Sequence, residues 1–172
     1  MRDVKRMSSV DCSQYERVIG IDPDLVKSGV AIWKDEELVD LKALTLLDLF
    51  TWVQSADSEG VLFVLEDVEA NKPVFRRKGQ NVRQMQRIAQ NVGQVKAVAR
   101  QIRQVLDQVG ADYVLVPPLK GVMKQPKKNA ELFQKMTGWQ GSSNEDKRDA
   151  AMLALYVIRG GRGRVFVGGD HE

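Results

Sequence analysis

The chain has 172 residues, 43% of them hydrophobic and 28% charged, with a formal net charge of +3. That is enough for one domain with a full core, and no apolar run approaches the length a bilayer span requires. Cys12 is the only cysteine and His171 the only histidine, which excludes a disulfide framework, zinc-ligand spacing and any catalytic triad built on histidine, and makes the cytoplasm the expected compartment.

Met1–Glu16 is polar and mixed in charge, lacks the apolar core of a signal peptide, and is expected to be a loose tail. Three hairpin-linked strands follow near Arg17–Ile21, Gly29–Trp33 and Leu38–Lys42, with turns around Ser28 and in the charged Lys34–Glu37 stretch. Thr45 can cap a helix in which Leu46, Leu49, Phe50 and Val53 recur at helical spacing, and the apolar run Val61–Leu65 reads as a fully buried strand. After a basic, proline-containing loop, apolar residues at threes and fours mark one helix from Gln80 to Gln108, about 40 Å long at 1.5 Å per residue. Gly93 inside it reads as a packing notch. Tyr113–Val116 is the next parallel strand, stopped by Pro117-Pro118; Lys127–Thr137 is a shorter helix ended by Gly138, and a last apolar-periodic helix carries NEDKRDAAMLAL. Residues 17–159 thus form a single α/β domain on a mixed five-stranded sheet, and 160–172 form a flexible basic Gly/Arg tail.

Four acids stand out against this layout. Asp22 and Glu66 each follow an apolar strand, leaving its carboxyl end, where open α/β sheets place their ligand sites. Asp146 and Asp149 are spaced i,i+3, on one face of the last helix. Each has an ordinary reading alone, as a turn, a solvated strand end or a favourable helix N-terminal charge. Together they mark one pocket suited to hard divalent cations such as Mg²⁺, two of which can flank a phosphodiester. Charge is uneven in the same sense. Residues 71–128 hold thirteen Lys or Arg against Asp107 and Asp112, a net +11, which leaves the rest of a +3 chain at −8. A cationic band beside an anionic metal pocket suits a polyanionic phosphate backbone.

The run IGIDPDLVKSGVAIW resembles the opening strand and hairpin of the RuvC family of Holliday-junction resolvases, within the RNase H-like nuclease superfamily. The apolar strand ending in Glu66, the NVGQVKAVA helix, VLVPPLKGVMK and DKRDAAMLALY follow in family order over residues 17–159. The resemblance implies a three-layer RNase H-like fold and a metal-dependent endonuclease that cuts four-way DNA junctions, leaving 5′-phosphate ends. It implies Asp22, Glu66, Asp146 and Asp149 as ligands of two Mg²⁺ ions, with Mn²⁺ able to substitute, and Lys120 as a catalytic or phosphate-facing lysine. Water activated at one ion and a leaving oxygen stabilised at the other are the expected chemistry. DNA contacts are expected from Lys72, Phe75, Arg76, Arg77, Lys78, Arg83, Lys124, Lys127 and Lys128. A two-fold homodimer supplies two like pockets for paired nicks, with Val82, Met85, Val95, Val98, Ile102 and Val105 of the long helix as its expected interface. Two positions depart from the pattern: Asp24 replaces a usual glycine, and Glu69 replaces an aromatic that stacks at the junction centre, a role open to Phe75 or Trp139. An RNA-directed nuclease of the same superfamily and a non-catalytic branched-DNA-binding module are the alternatives. A stand-alone domain of this kind suits either a bacterium or a phage.

Overall fold

The computed structural model describes residues 7–55, 59–70, 79 and 81–168. Three antiparallel strands open the chain, β1 (Arg17–Asp22), β2 (Ser28–Lys34) and β3 (Glu37–Leu44), followed by α1 (Leu46–Ser55). Then come β4 (Val61–Glu66), the long α2 (Val82–Gln108), β5 (Asp112–Val116), α3 (Ala130–Thr137), α4 (Glu145–Ile158) and β6 (Arg164–Phe166). They build one sheet in the order β3-β2-β1-β4-β5-β6, with β1, β4 and β5 parallel and the others antiparallel.

Alternation along the central strands sorts the core into two layers. Val18, Leu62, Val64, Val114 and Val116 face α4, whose Ala150–Leu155 and Val157 are buried against them with Phe133 of α3. Ile19, Ile21, Phe63, Leu65, Tyr113 and Leu115 face the other way, onto Leu49 and Val53 of α1 and Val98, Ile102 and Leu106 of α2. Strands buried on both faces explain the near-continuous apolar runs in the sequence. Among the described residues, no helix is long and apolar enough to cross a membrane.

The structure corrects five expectations. The sheet has six strands, because Arg164–Phe166, assigned to a flexible tail, pairs antiparallel with β5. Part of the N-terminal segment is also anchored: Ser8 exchanges backbone hydrogen bonds with Gly163, Cys12–Gln14 forms a 3₁₀ turn, and the Tyr15 hydroxyl donates to Asp112 at 2.9 Å. The long helix begins at Val82, where Asn81 and Gln84 form a reciprocal capping box. The Lys127–Thr137 helix is two pieces, a 3₁₀ turn over Gln125–Lys128 and α3, which Asn129 caps from outside. Among the described residues, nothing lies within 4 Å of a Cβ on Gly93, so none of them packs into a notch there.

Candidate active site

Asp22 is the last residue of β1 and Glu66 the last of β4, and the parallel pairing of Ile21 with Leu65 sets the two carboxylates on adjacent strand ends. Alternation puts both on the α4 face, with Val18 and with Leu62 and Val64. Asn144 caps α4 by accepting the Lys147 N–H at 2.9 Å, which starts the helix where Asp146 and Asp149 fall beneath the strand ends. Two glycines seat that helix. A Cβ on Gly20 would lie 1.9 Å from the Ala150 carbonyl oxygen, and one on Gly29 would lie 2.3 Å from that of Asp146. Gly29 pairs with Asp22 in the β1–β2 register, so the absence of a side chain there is what admits Asp146 beside Asp22. The β1–β2 turn solves the Asp24 departure without strain. The buried Ser28 hydroxyl accepts the Asp24 N–H at 3.1 Å, and Asp24 is not among the positive-φ residues.

Two lysines complete the cluster. Lys124 Nζ lies 3.2 and 3.4 Å from the two Asp149 carboxylate oxygens, and Lys127 Nζ lies 3.5 Å from Oδ2. They are aimed by consecutive 3₁₀ turns after β5, over Gly121–Met123 and Gln125–Lys128. Buried Arg148 ties that loop to α4, donating to the Lys127 carbonyl at 2.9 Å and to Ser143 Oγ at 3.0 Å. Lys120, the lysine that the resemblance singles out, is exposed one turn earlier, whereas Lys124 and Lys127 reach the acids.

The electrostatics are those of crowded anions. Burial raises the proton affinity of Asp22 well above the ordinary carboxylate range, and Asp149, Asp146 and Glu66 push the same way against Lys127. Glu66 is raised by burial and Asp149 against Lys124 and Lys127, and Asp146 by burial and Asp24 against Lys127. Burial alone would lower Lys127, but Asp149, Asp22 and Asp146 outweigh it and hold the ammonium more tightly protonated. An all-oxygen donor set in which anions raise one another's proton affinity fits a hard divalent cation. Among the described residues, no three acidic side chains stand arranged to hold an ion as they are. Lys124 and Lys127 pair with Asp149 instead, so a cation held there would have to displace their ammonium groups.

No protein-family model and no curated protein matches the chain. Solved structures do. A T. thermophilus RuvC in complex with a Holliday junction substrate aligns over 87% of this chain and 99% of its own, with a TM-score of 0.56 at 14% identity. A second Thermus thermophilus RuvC structure aligns over 86% and 99%, with a TM-score of 0.50 at 14% identity. The fold is RuvC-like. It is an RNase H-like α/β architecture, here with a six-stranded sheet. The likeness is to Thermus proteins and lends nothing to a phage-type origin.

On this RuvC-like frame, the remaining expected contacts divide. Lys72, Phe75, Arg76, Arg77 and Lys78 lie outside the described residues. Arg83, in the first turn of α2, and Lys128 are exposed. Glu69 accepts from Arg100 Nε at 2.6 Å, and Arg103 stacks over Phe166 and Tyr113, so these two basic side chains of α2 are engaged within the chain. Trp139 packs half-buried against the α4-side core, its indole N–H donating to the Ser142 carbonyl at 3.1 Å. It is not a projecting wedge. A cavity of about 480 Å³ is lined by Tyr15, Val18, Trp33 and Ile158 together with Asp11, Glu16, Asp35 and Glu36. It opens at the far ends of β1 and α4 from the carboxylates, and its acidic lining repels a phosphate backbone.

Proposed function

We propose that this chain is a metal-dependent structure-selective endodeoxyribonuclease that resolves four-way DNA junctions by hydrolysing phosphodiesters to 5′-phosphate ends. The observation that carries the reading is the convergence of Asp22, Glu66, Asp146 and Asp149, with Lys124 and Lys127, at the carboxyl edge of β1 and β4 on a RuvC-like frame.

Asp22, Glu66, Asp146 and Asp149 are the residues that would hold Mg²⁺ or Mn²⁺; bound ions supply charge neutralisation at the scissile phosphate and acidify the attacking water. The chain's own groups do the rest. Burial of Asp22 excludes bulk water from the floor of the site, which strengthens each electrostatic interaction there. Lys124 and Lys127 balance Asp149 without DNA and, once freed from it, present two point charges to phosphate oxygens. Arg148 keeps their loop docked on α4 and so keeps both lysines at the acids. The first half of α2 supports the expected homodimer, because it carries Val82 and Ile88 exposed at 58% and 37%. Val98 and Ile102, expected at that interface, are buried in the chain's own core instead.

The test is incubation with synthetic four-way junction, flap, duplex and RNA–DNA hybrid substrates, with and without Mg²⁺. Paired symmetric nicks in the junction, lost in Asp22→Asn and Asp146→Asn while junction binding persists, are the expected result. Preferential cutting of the hybrid would instead favour an RNA-directed nuclease, and binding without cleavage a non-catalytic module. Wild-type cleavage by either variant would refute the site.

A further inference from the structure

Asp67 follows Glu66, and alternation sends its side chain to the opposite face of the sheet, toward α2. The side chain is only 8% exposed, and its Oδ2 accepts a hydrogen bond from Arg164 Nε at 2.9 Å, with Arg164 Nη2 in ion-pair contact at 2.8 Å. Arg164 opens β6, where it pairs with Leu115, the neighbour of the Val116 that pairs with Glu66. The Asp67 N–H donates to the Val116 carbonyl at 2.7 Å, so side chain and backbone are both fixed to the β5–β6 edge. The surroundings are rigid. Phe166 stacks on Tyr113 at 4.8 Å between ring centroids, with the guanidinium groups of Arg103 and Arg164 over Phe166 at 5.2 and 5.9 Å.

Stability alone does not account for this arrangement. A buried ion pair is often no better for stability than well-packed apolar groups, and this one leaves Asp67 Oδ1 without a hydrogen-bond partner among the described residues. Among the described residues, none hydrogen-bonds the Glu66 carboxylate, so its direction depends on the backbone from which it leaves the strand. The next residue along that backbone is the one Arg164 holds.

We infer that Arg164 and Asp67 form a positioning pair for Glu66: by locking the residue after the strand end from the opposite face of the sheet, they fix the angle at which Glu66 enters the carboxylate cluster. The inference rests on Glu66 belonging to the proposed site. It makes β6 part of the catalytic apparatus, although no β6 residue touches the reacting atoms.

The test uses the full chain as Arg164→Gln, Arg164→Lys and the double variant Asp67→Asn/Arg164→Gln, with Glu66→Gln as control. Readouts are steady-state junction cleavage in Mg²⁺ and calorimetric Mn²⁺ binding without DNA. Loss of a supporting partner behind a metal ligand lowers metal affinity or activity by about 10- to 100-fold. Arg164→Gln should therefore lose kcat and Mn²⁺ affinity in that range with KM for the junction unchanged. Arg164→Lys should recover part of both, and the double variant, a neutral hydrogen-bonded pair, should recover more than Arg164→Gln. If Arg164→Gln fails to fold, the other two variants decide. Folded variants with wild-type kcat and Mn²⁺ affinity, while Glu66→Gln is inactive, would overturn the positioning role and leave the site intact. Wild-type cleavage by Glu66→Gln would overturn the site reading itself.

Discussion

Asp22 sets stability and activity against each other. Its carboxyl is buried at the end of β1, and burial with three neighbouring acids raises its proton affinity. A group whose folded pKa is raised contributes stability that is fully present below the unfolded value, about 3.9 for Asp, and lost as pH rises through the folded value. Asp22→Asn should therefore match the metal-free wild type at low pH and become the more stable of the two as the pH climbs toward neutrality. A gain of about 1 kcal/mol would raise Tm by roughly 2–4 °C. Thermal melts of both proteins with a chelator present, from pH 3 to 8, check the sign; a gap that closes with rising pH contradicts it. The lysines make a second prediction. Lys127→Met should lower kcat by about 10²-fold, in the range seen when one preorganised electrostatic donor is removed, whereas Lys120→Met should stay within a few-fold in single-turnover cleavage. Asp22 and Glu66 were legible as strand ends because an apolar run announces the residue that closes it, and Asp146 and Asp149 as a pair on one helical face. Which lysine reaches the acids was not: the resemblance singled out Lys120 and gave Lys124 and Lys127 only as DNA contacts, and 3₁₀ turns have no 3.6-residue signature to show which way they aim.

Among the elements, the contact between α4 and the β1–β2 hairpin decides whether the site exists. Gly20→Ala and Gly29→Ala would drive a methyl group into helix backbone at 1.9 and 2.3 Å, where no flexible side chain can yield. Overpacking of this kind destabilises by about 1–3 kcal/mol or more, and chemical denaturation should show it for both. Gly29→Ala should lose cleavage beyond its stability loss, because it displaces Asp146 in particular. The β2–β3 turn carries the reverse opportunity. Asp35 and Glu36 occupy left-handed backbone at φ 50° and 63°, so Glu36→Gly should stabilise the chain by about 1 kcal/mol. Much of this layer was readable: apolar runs gave β1, β4 and β5, and periodicity gave α2 to within two residues. β6 was not. A three-residue strand after a Gly-Arg run is too short to show alternation, and only the open edge of β5 makes it a strand. Gly93 misled because its reading assumed a partner that none of the described residues supplies.

The two ends of the sheet differ in charge: acids line the cavity at one end, and at the other Lys124, Lys127 and Lys128 offset the four carboxylates. Exposed Val82 and Ile88 extend from the second end along α2. Val82→Glu with Ile88→Glu should convert a dimer to a monomer in sedimentation and turn paired junction cuts into single nicks; paired cuts from a monomer would exclude that interface. The seating of α4 has a consequence for folding. Gly20 and Gly29 receive a helix that the chain makes more than a hundred residues later, so half of the carboxylates join the other half only after all of that intervening chain has folded back. Contacts of such sequence separation form slowly and late. No local fragment holds the whole acid set, so a partly folded chain lacks the proposed site. In a denaturant titration the proposed cleavage should vanish together with global structure, with no intermediate range in which a half-assembled site still cuts.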